Sequence, residues 1–475
     1  MALRFFDTQA GTLRDFVAIR PPAVSIYVCG PTVQSSPHIG HIRSALVYDV
    51  MRRWLRYRGF DVTLVRNVTD IDDKILANTA AASEAGSTEE WWALAYRIEN
   101  EFAAAYRALG IALPTYEPRA TGSIPHMHEL IQRLIDRGHA YAARDGSGDV
   151  YFDVRSWPGY GELTRQSIES MEPATETTER DKHDVRDFAL WKGRKAEEPL
   201  SASFPSPWGP GRPGWHIECS AMSRRYLGAE FDIHGGGLDL RFPHHENERA
   251  QSLAAGDAFA RYWVHNGLVN VNGQKMSKSL GNSVMAADLL AQAPPLVVRY
   301  YLASAHYRSS IDYHQGALAE ARAAFERITG ALDRVNRECQ SSALNEPATV
   351  PDVFAEAMDD DLALPQALAV LHDTVRQINQ QLDANDHERA RASSVSLVAM
   401  LDVLGLNPQD SAETTASSVA VTHALDTVMS HFLTQRAEAR NSRDFATADR
   451  IRDTLAAAGI RIDDTPHGAH WSIDE

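Results

Sequence analysis

The feature that most restricts the fold lies between Ser25 and Val68. Ser25-Ile26-Tyr27-Val28-Cys29 reads as a buried strand and is closed by Gly30-Pro31. A helix starts near Ile39 and runs through residues 43–57, and a second strand covers residues 62–68. Strand, turn, helix and strand in so short a stretch form a βαβ unit, which predicts a parallel sheet. Ligands of such sheets sit beyond the carboxyl ends of the strands, where Cys29 and Thr69 fall.

Further helices are expected near 71–82 and 89–109. From 114 to 213 the pattern changes to a helix over 124–138, a short strand pair within 140–154, a Glu- and Thr-rich stretch at 171–182, and a proline- and glycine-rich loop at 199–214. This reads as an insertion that splits the first fold. The sheet resumes at 231–234 and continues at 262–265, after which Leu268-Val269-Asn270-Val271 meets the hairpin signal Asn272-Gly273. From Ala317 the period is helical, with helices near 316–339, 352–358, 365–382 and 387–404 making a bundle. Residues 406–419, rich in Ser, Thr, Asn and Asp, read as a linker. The predicted class is α/β: a Rossmann-like parallel-sheet domain in two halves (1–113 and 214–266), an insertion (114–213), a segment after the sheet (267–315), a helical bundle (316–405), the linker (406–419) and a small last unit (420–475).

Length fits this division, since 475 residues exceed one ordinary core at roughly 100–200 residues per domain. No run approaches the ~18 apolar residues of a membrane span, and charges interrupt the N-terminus where a signal peptide needs its apolar run. The expectation is a cytoplasmic protein without a membrane partner. Three scattered cysteines, an odd number, are no disulfide framework. A net charge of −16 argues against indiscriminate nucleic-acid binding but leaves room for a local basic face.

Two motifs handle phosphate. His38-Ile39-Gly40-His41 lies between a strand end and a helix start, where free N–H groups and the helix dipole favour anions. Gly40 lets a nucleotide approach the backbone, and His38 and His41 share one helical face as hydrogen-bond donors. Lys275-Met276-Ser277-Lys278-Ser279 follows the hairpin, and its lysines and hydroxyls suit a departing polyphosphate. A solvated histidine pair and a solvated basic loop are the bland alternatives to each motif alone. Together and in this order the two motifs match the signature pair of class I aminoacyl-tRNA synthetases. Cys29, Cys219, His244 and Glu248 form a third group: two thiolates, one imidazole and one carboxylate suit four-coordinate Zn2+, with His244 and Glu248 on one helical face at i, i+4. There is no Cys-x-x-Cys pair, so on spacing alone two buried core cysteines are the default reading.

Longer stretches carry a resemblance to the cysteinyl-tRNA synthetases. They are Tyr27-Val28-Cys29-Gly30-Pro31-Thr32, Asn67-Val68-Thr69-Asp70-Ile71-Asp72-Asp73-Lys74, Gly214-Trp215-His216-Ile217-Glu218-Cys219, Phe231-Asp232-Ile233-His234-Gly235-Gly236-Gly237 and Phe242-Pro243-His244-His245-Glu246-Asn247-Glu248. The similarity runs from about Asp7 to the C-terminus and includes Phe445-Ala446-Thr447-Ala448-Asp449-Arg450-Ile451-Arg452 and Gly468-Ala469-His470-Trp471. Gln34 departs from it, standing where the family often has an aromatic residue, and 171–182 matches nothing in it.

The resemblance implies one zinc ion on Cys29, Cys219, His244 and Glu248, and a cysteine pocket formed by Gly30, Thr32, Thr69, Trp215 and His234. It implies ATP, accompanied by Mg2+, on His38, Gly40, His41, Lys275, Ser277 and Lys278, with His38, His41, Lys275 and Lys278 catalytic. It further implies tRNA-Cys as acceptor, stem contacts from 267–315, a tRNA-binding bundle, an anticodon-binding domain at 420–475, and a monomer. Within that last unit Arg436, Arg440, Arg443, Arg450, Arg452, Arg461 and Trp471 are the residues suited to RNA, although solvated arginines on amphipathic helices would look the same. A zinc ion suits the choice of cysteine over serine and alanine, because a thiolate is a far better zinc ligand than a hydroxyl. Two rival readings stand beside it: a cysteine:amino-sugar ligase of mycothiol synthesis, and a non-catalytic paralogue that only binds RNA. Cys339 carries no assigned role.

Overall fold

The computed structural model describes residues 2–171, 181–276, 280–339, 349–410, 416–465 and 468–473, and divides into two units, Met1–Pro408 and Gln409–Glu475. The first unit opens with an antiparallel hairpin, β1 (Arg4–Asp7) and β2 (Thr12–Asp15). The expected βαβ unit follows as β3 (Ala23–Val28), α1 (Ile39–Tyr57) and β4 (Asp61–Arg66), then α2 (Asp73–Glu84) and α3 (Trp91–Ala108).

The insertion holds α4 (Ile124–Asp136) and an antiparallel sheet in the order β5 (Ala140–Ala142), β6 (Val150–Phe152), β7 (Phe188–Gly193) and β8 (Gly211–Pro213). The last strand lies inside the stretch expected to be loop. It is an edge strand, the place in a sheet where proline is tolerated, and it is too short to show a period.

The chain then returns through α5 (Trp215–Leu227), β9 (Glu230–Gly237), α6 (Glu246–Ala254) and β10 (Phe259–Asn266). The central sheet has the order β10-β9-β3-β4 and all its pairs are parallel, Ile26 pairing with Leu64 on one side and Ile233 on the other. Next come β11 (Val269–Val271) and β12 (Gln274–Lys275), joined through Asn272 and Gly273 at φ 51° and 75°, the twisted turn that Asn-Gly favours. Helices α7 (Ala286–Gln292) and α8 (Pro295–Ala303) and strand β13 (Ile311–Tyr313) complete this segment, and β13 pairs parallel with β11.

The bundle comprises α9 (Ala317–Glu338), α10 (Asp352–Asp359), α11 (Leu364–Asp383) and α12 (His387–Leu404), close to the expected helices. A buried arginine ties it to α1. Arg299 of α8 sits 2.5 Å from Asp49 of α1 and donates to the carbonyls of Leu109 and Leu404, each at 2.9 Å.

The second unit contains α13 (Ala416–Asn441), α14 (Phe445–Ala457) and the antiparallel pair β14 (Ile460–Thr465) and β15 (Gly468–Ile473). Helix α13 begins inside the stretch read as a linker. Its first turns are rich in Ser and Thr, which favour loops by propensity, yet alternate with Ala and Val that can serve a helix. Among the described residues no helix is long and apolar enough to cross a membrane.

Candidate active site

The carboxyl ends of β3, β4, β9 and β10 open on one cavity of about 350 Å³. Cys29, Gly30, Thr32, His38, Gly40, His41, Trp215 and Lys275 line it. Gly30 allows the ends of β3 and β4 to close on each other. A Cβ there would stand 1.6 Å from the Asn67 carbonyl oxygen, and the Gly30 amide donates to Asn67 Oδ1 at 2.9 Å.

His38 caps α1 in extended backbone, and its ring stacks on that of His41 with centroids 3.6 Å apart. The His38 amide donates to His41 Nδ1 at 3.2 Å, which places the proton of a neutral His41 on Nε2 and makes that atom a donor. His38 also forms a bridge with Met285, so the segment after the lysine motif lies against the start of α1. Ser277, Lys278 and Ser279 lie outside the described residues.

Thr69 and His234 do not line the cavity. Thr69 is buried and donates from Oγ1 to Glu218 Oε2 at 2.6 Å, while His234, fully buried, holds Nε2 2.9 Å from Glu248 Oε2. Both stand behind the wall, each bonded to a carboxylate.

Behind Cys29 lie the other proposed metal ligands. Cys219 comes from the second turn of α5. His244 comes from the irregular turn Arg241–His245, and Glu248 from the first turn of α6. The donor atoms of Cys29, Cys219, His244 and Glu248 all lie within 4.8 Å of one another. Cys29 Sγ donates to Glu248 Oε1 at 3.1 Å, and His244 Nε2 lies 3.0 Å from that same oxygen. Trp215 stacks on His244, centroids 4.2 Å apart, and so joins the cluster to the cavity.

Burial pushes the Cys29 thiol well up, and neighbouring Cys219 and Glu248 add to it. Burial also acts against ionised Glu248, but His234 and His244 hold its carboxyl well below the usual range. Burial disfavours the His244 cation, yet Glu248 and Cys219 hold it up at about 10. Protons on sulfur and nitrogen thus balance a buried, anion-rich cluster. A divalent cation that displaces them would satisfy all four donors at once, and two sulfurs, one nitrogen and one oxygen are a donor set that zinc accepts. The residues therefore fit the metal. His234 and His245 nitrogens form a second group within the same 4.8 Å limit around Cys29 and Glu248.

Residues with no sequence-assigned role also line the cavity, among them Gln34, Arg66, Lys74, Asp239 and Asn266. Lys74 and Arg66 sit in or beside the Asn67–Lys74 motif, which marked the segment as special without saying which side chain faces the ligand. Asn67, buried behind Gly30, is a further supporting residue from that motif. Cys339 follows α9, with Sγ 3.8 Å from His387 Nδ1, and is not among the lining residues.

Residues 15–323 match the class I tRNA synthetase (C) catalytic domain, 353–408 the DALR domain, and 422–471 the cysteinyl-tRNA ligase anticodon binding domain. A cysteine–tRNA ligase of Leifsonia xyli subsp. xyli is 68% identical, and one of Clavibacter michiganensis subsp. michiganensis is 64% identical, each alignment covering 100% of both chains. Among solved structures, Mycobacterium tuberculosis methionyl-tRNA synthetase in complex with methionyl-adenylate shares the fold at a TM-score of 0.55 and 18% identity, over 81% of this chain and 90% of that one.

Proposed function

Because this chain belongs to the cysteinyl-tRNA synthetases of class I, we propose a division of labour among its residues for the reaction that membership carries, the ATP-dependent joining of cysteine to tRNA. L-cysteine attacks the α-phosphate of ATP through its carboxylate and pyrophosphate leaves, giving cysteinyl-adenylate; a ribose hydroxyl of the 3′-terminal adenosine of tRNA-Cys then attacks the cysteinyl carbonyl and AMP leaves. No covalent bond to the protein is needed, so the residues position reactants and stabilise developing charge.

His38 and His41 hold the triphosphate, with His41 Nε2–H presented as a donor by the fixed tautomer. Gly40 admits the nucleotide to the backbone. Lys275, Ser277 and Lys278 neutralise the departing pyrophosphate, and Mg2+ travels with ATP. Gly30, Thr32 and Trp215 enclose the cysteine, while Thr69 and His234 steady that wall through Glu218 and Glu248. Cys29, Cys219, His244 and Glu248 would hold a zinc ion. When bound, the ion supplies a Lewis acid that prefers a thiolate to a hydroxyl, whereas a plain pocket separates such near-isosteres by only about 1–3 kcal/mol.

Residues 267–315 would contact the acceptor stem, the bundle would bind tRNA, and the last unit would read the anticodon with Arg436, Arg440, Arg443, Arg450, Arg452, Arg461 and Trp471. In this reading the enzyme acts in the cytoplasm, where its tRNA substrate is charged, and as a monomer.

The observation that carries this reading is that Cys29 belongs both to the four-donor cluster and to the wall of the cavity that His38, His41 and Lys275 share. The test is ATP–pyrophosphate exchange with cysteine or serine, followed by acylation of total tRNA or of an amino sugar. Exchange with cysteine and charging of tRNA are expected. Acylation of the amino sugar instead, or a cysteine preference that survives complete removal of the metal, would sink the corresponding part.

A further inference from the structure

The cavity crosses four strand ends, and its two sides are furnished differently. Groups used for ATP cluster together. The start of α1 bridges to Met285, and a Cβ on Gly40 would stand 3.6 Å from Met276 Cε. The β4 side is lined by Arg66, Lys74 and Gln34, which the scheme above leaves unused.

Two cations stand on this side, and of the two only Arg66 is in an ion pair among the described residues. Arg66 directs Nε and Nη2 at Glu117 Oε1, at 2.9 and 2.8 Å, and lies 4.3 Å over the Tyr106 ring. Lys74 is exposed, and among the described residues its ammonium forms no ion pair within 4.0 Å. Of the acids beside it, Asp72 acts on it only through space, without an ion pair, and Asp73 is paired elsewhere. Asp72 caps α2 by accepting the Lys74 amide at 2.9 Å. Asp73 pairs with Lys192 at 2.9 Å and with Arg212, both from the insertion, and despite burial these cations hold its carboxyl well below the usual range.

The backbone that presents Lys74 is also held in place. Asn78 Nδ2 donates to the Gln34 carbonyl at 2.8 Å, tying α2 to the loop after β3. A positive charge is thus kept at the cavity, on a braced helix start.

We propose that Lys74 binds a backbone phosphate at the 3′ end of the acceptor RNA and so serves the transfer step rather than cysteine activation. This rests on the cysteine-activating reading above. The second reaction brings a polyanion to a centre whose nucleotide side is already matched by His38, His41 and Lys275, and the β4 side carries a cation that is in no ion pair among the described residues.

The test compares the unsubstituted chain with Lys74→Met and Lys74→Arg. Cysteine-dependent ATP–pyrophosphate exchange by the unsubstituted chain is read first, and its absence would overturn the activation reading itself. For Lys74→Met, exchange is expected to change by less than about twofold, while transfer from preformed adenylate to tRNA, at subsaturating tRNA, falls about tenfold. The slope of log kcat/KM for tRNA against log salt should flatten by ~0.7, one single-strand phosphate contact. Lys74→Arg should restore most of the transfer rate and the slope. An equal fall in exchange and transfer would assign Lys74 to ATP or to structure. Unchanged transfer with an unchanged salt slope would remove it from RNA binding. Either result overturns the proposal.

Discussion

Arg299 illustrates how a single side chain holds the catalytic region together. Its guanidinium is fully buried against Asp49 and two carbonyls, so removing it leaves a buried carboxylate with Arg53 as its remaining cationic partner. Arg299→Met should cost about 3–5 kcal/mol in urea unfolding of the first unit, the cost expected when one partner of a buried pair is lost. Burial alone would raise the Asp49 carboxyl, but Arg299 and Arg53 override it and hold its pKa down. A depressed carboxyl contributes stability above the ordinary range near pH ~3.9 and loses it as pH falls through the folded value. The gap between the unsubstituted protein and Arg299→Met should therefore narrow from pH 7 to pH 3, and a constant gap would mean that the charge plays no part.

Between elements, a close seam lies where the insertion meets the start of α5. A Cβ on Gly214 would stand 1.9 Å from the Ala189 carbonyl oxygen of β7, and backbone cannot yield as a flexible side chain does. Gly214→Ala should push α5 away from β7, with Trp215 and Cys219 on it, at about 1–3 kcal/mol of overpacking. Zinc content after dialysis against a fixed metal buffer should fall below one per chain, and full retention would show that α5 tolerates the shift. This seam was only half legible in the sequence. The β3–α1–β4 unit was readable because its apolar periods switch cleanly between strand and helix. β8 was not, because three residues with a proline carry no period. The four ligands were readable as motif members, and the structure brings them together. The placement of Thr69 and His234 behind the wall depends on which face of a strand end looks into the cavity, and that follows from pairing register, visible only once Tyr27 is seen opposite His234.

At the scale of the whole molecule, the described residues of the cavity and the four-donor cluster lie within Met1–Pro408, whereas the arginines suited to RNA on α13, α14 and β14 lie within Gln409–Glu475. A chain ending at Pro408 should keep cysteine-dependent pyrophosphate exchange near the full-length level while kcat/KM for tRNA falls on the order of a hundredfold, the loss expected when one of two linked binding modules is removed. Equal charging by both chains would show that the last unit contributes nothing to tRNA binding. The strand order has a consequence of another kind, for synthesis. β3 pairs with β4 on one side and with β9 on the other, yet β4 ends at Arg66 and β9 begins only at Glu230. At ~5–20 residues per second, one edge of β3 waits roughly 10–30 s on the ribosome before its partner exists. During that interval it is an open template for wrong pairing, so the nascent chain most needs protection while its insertion is being made.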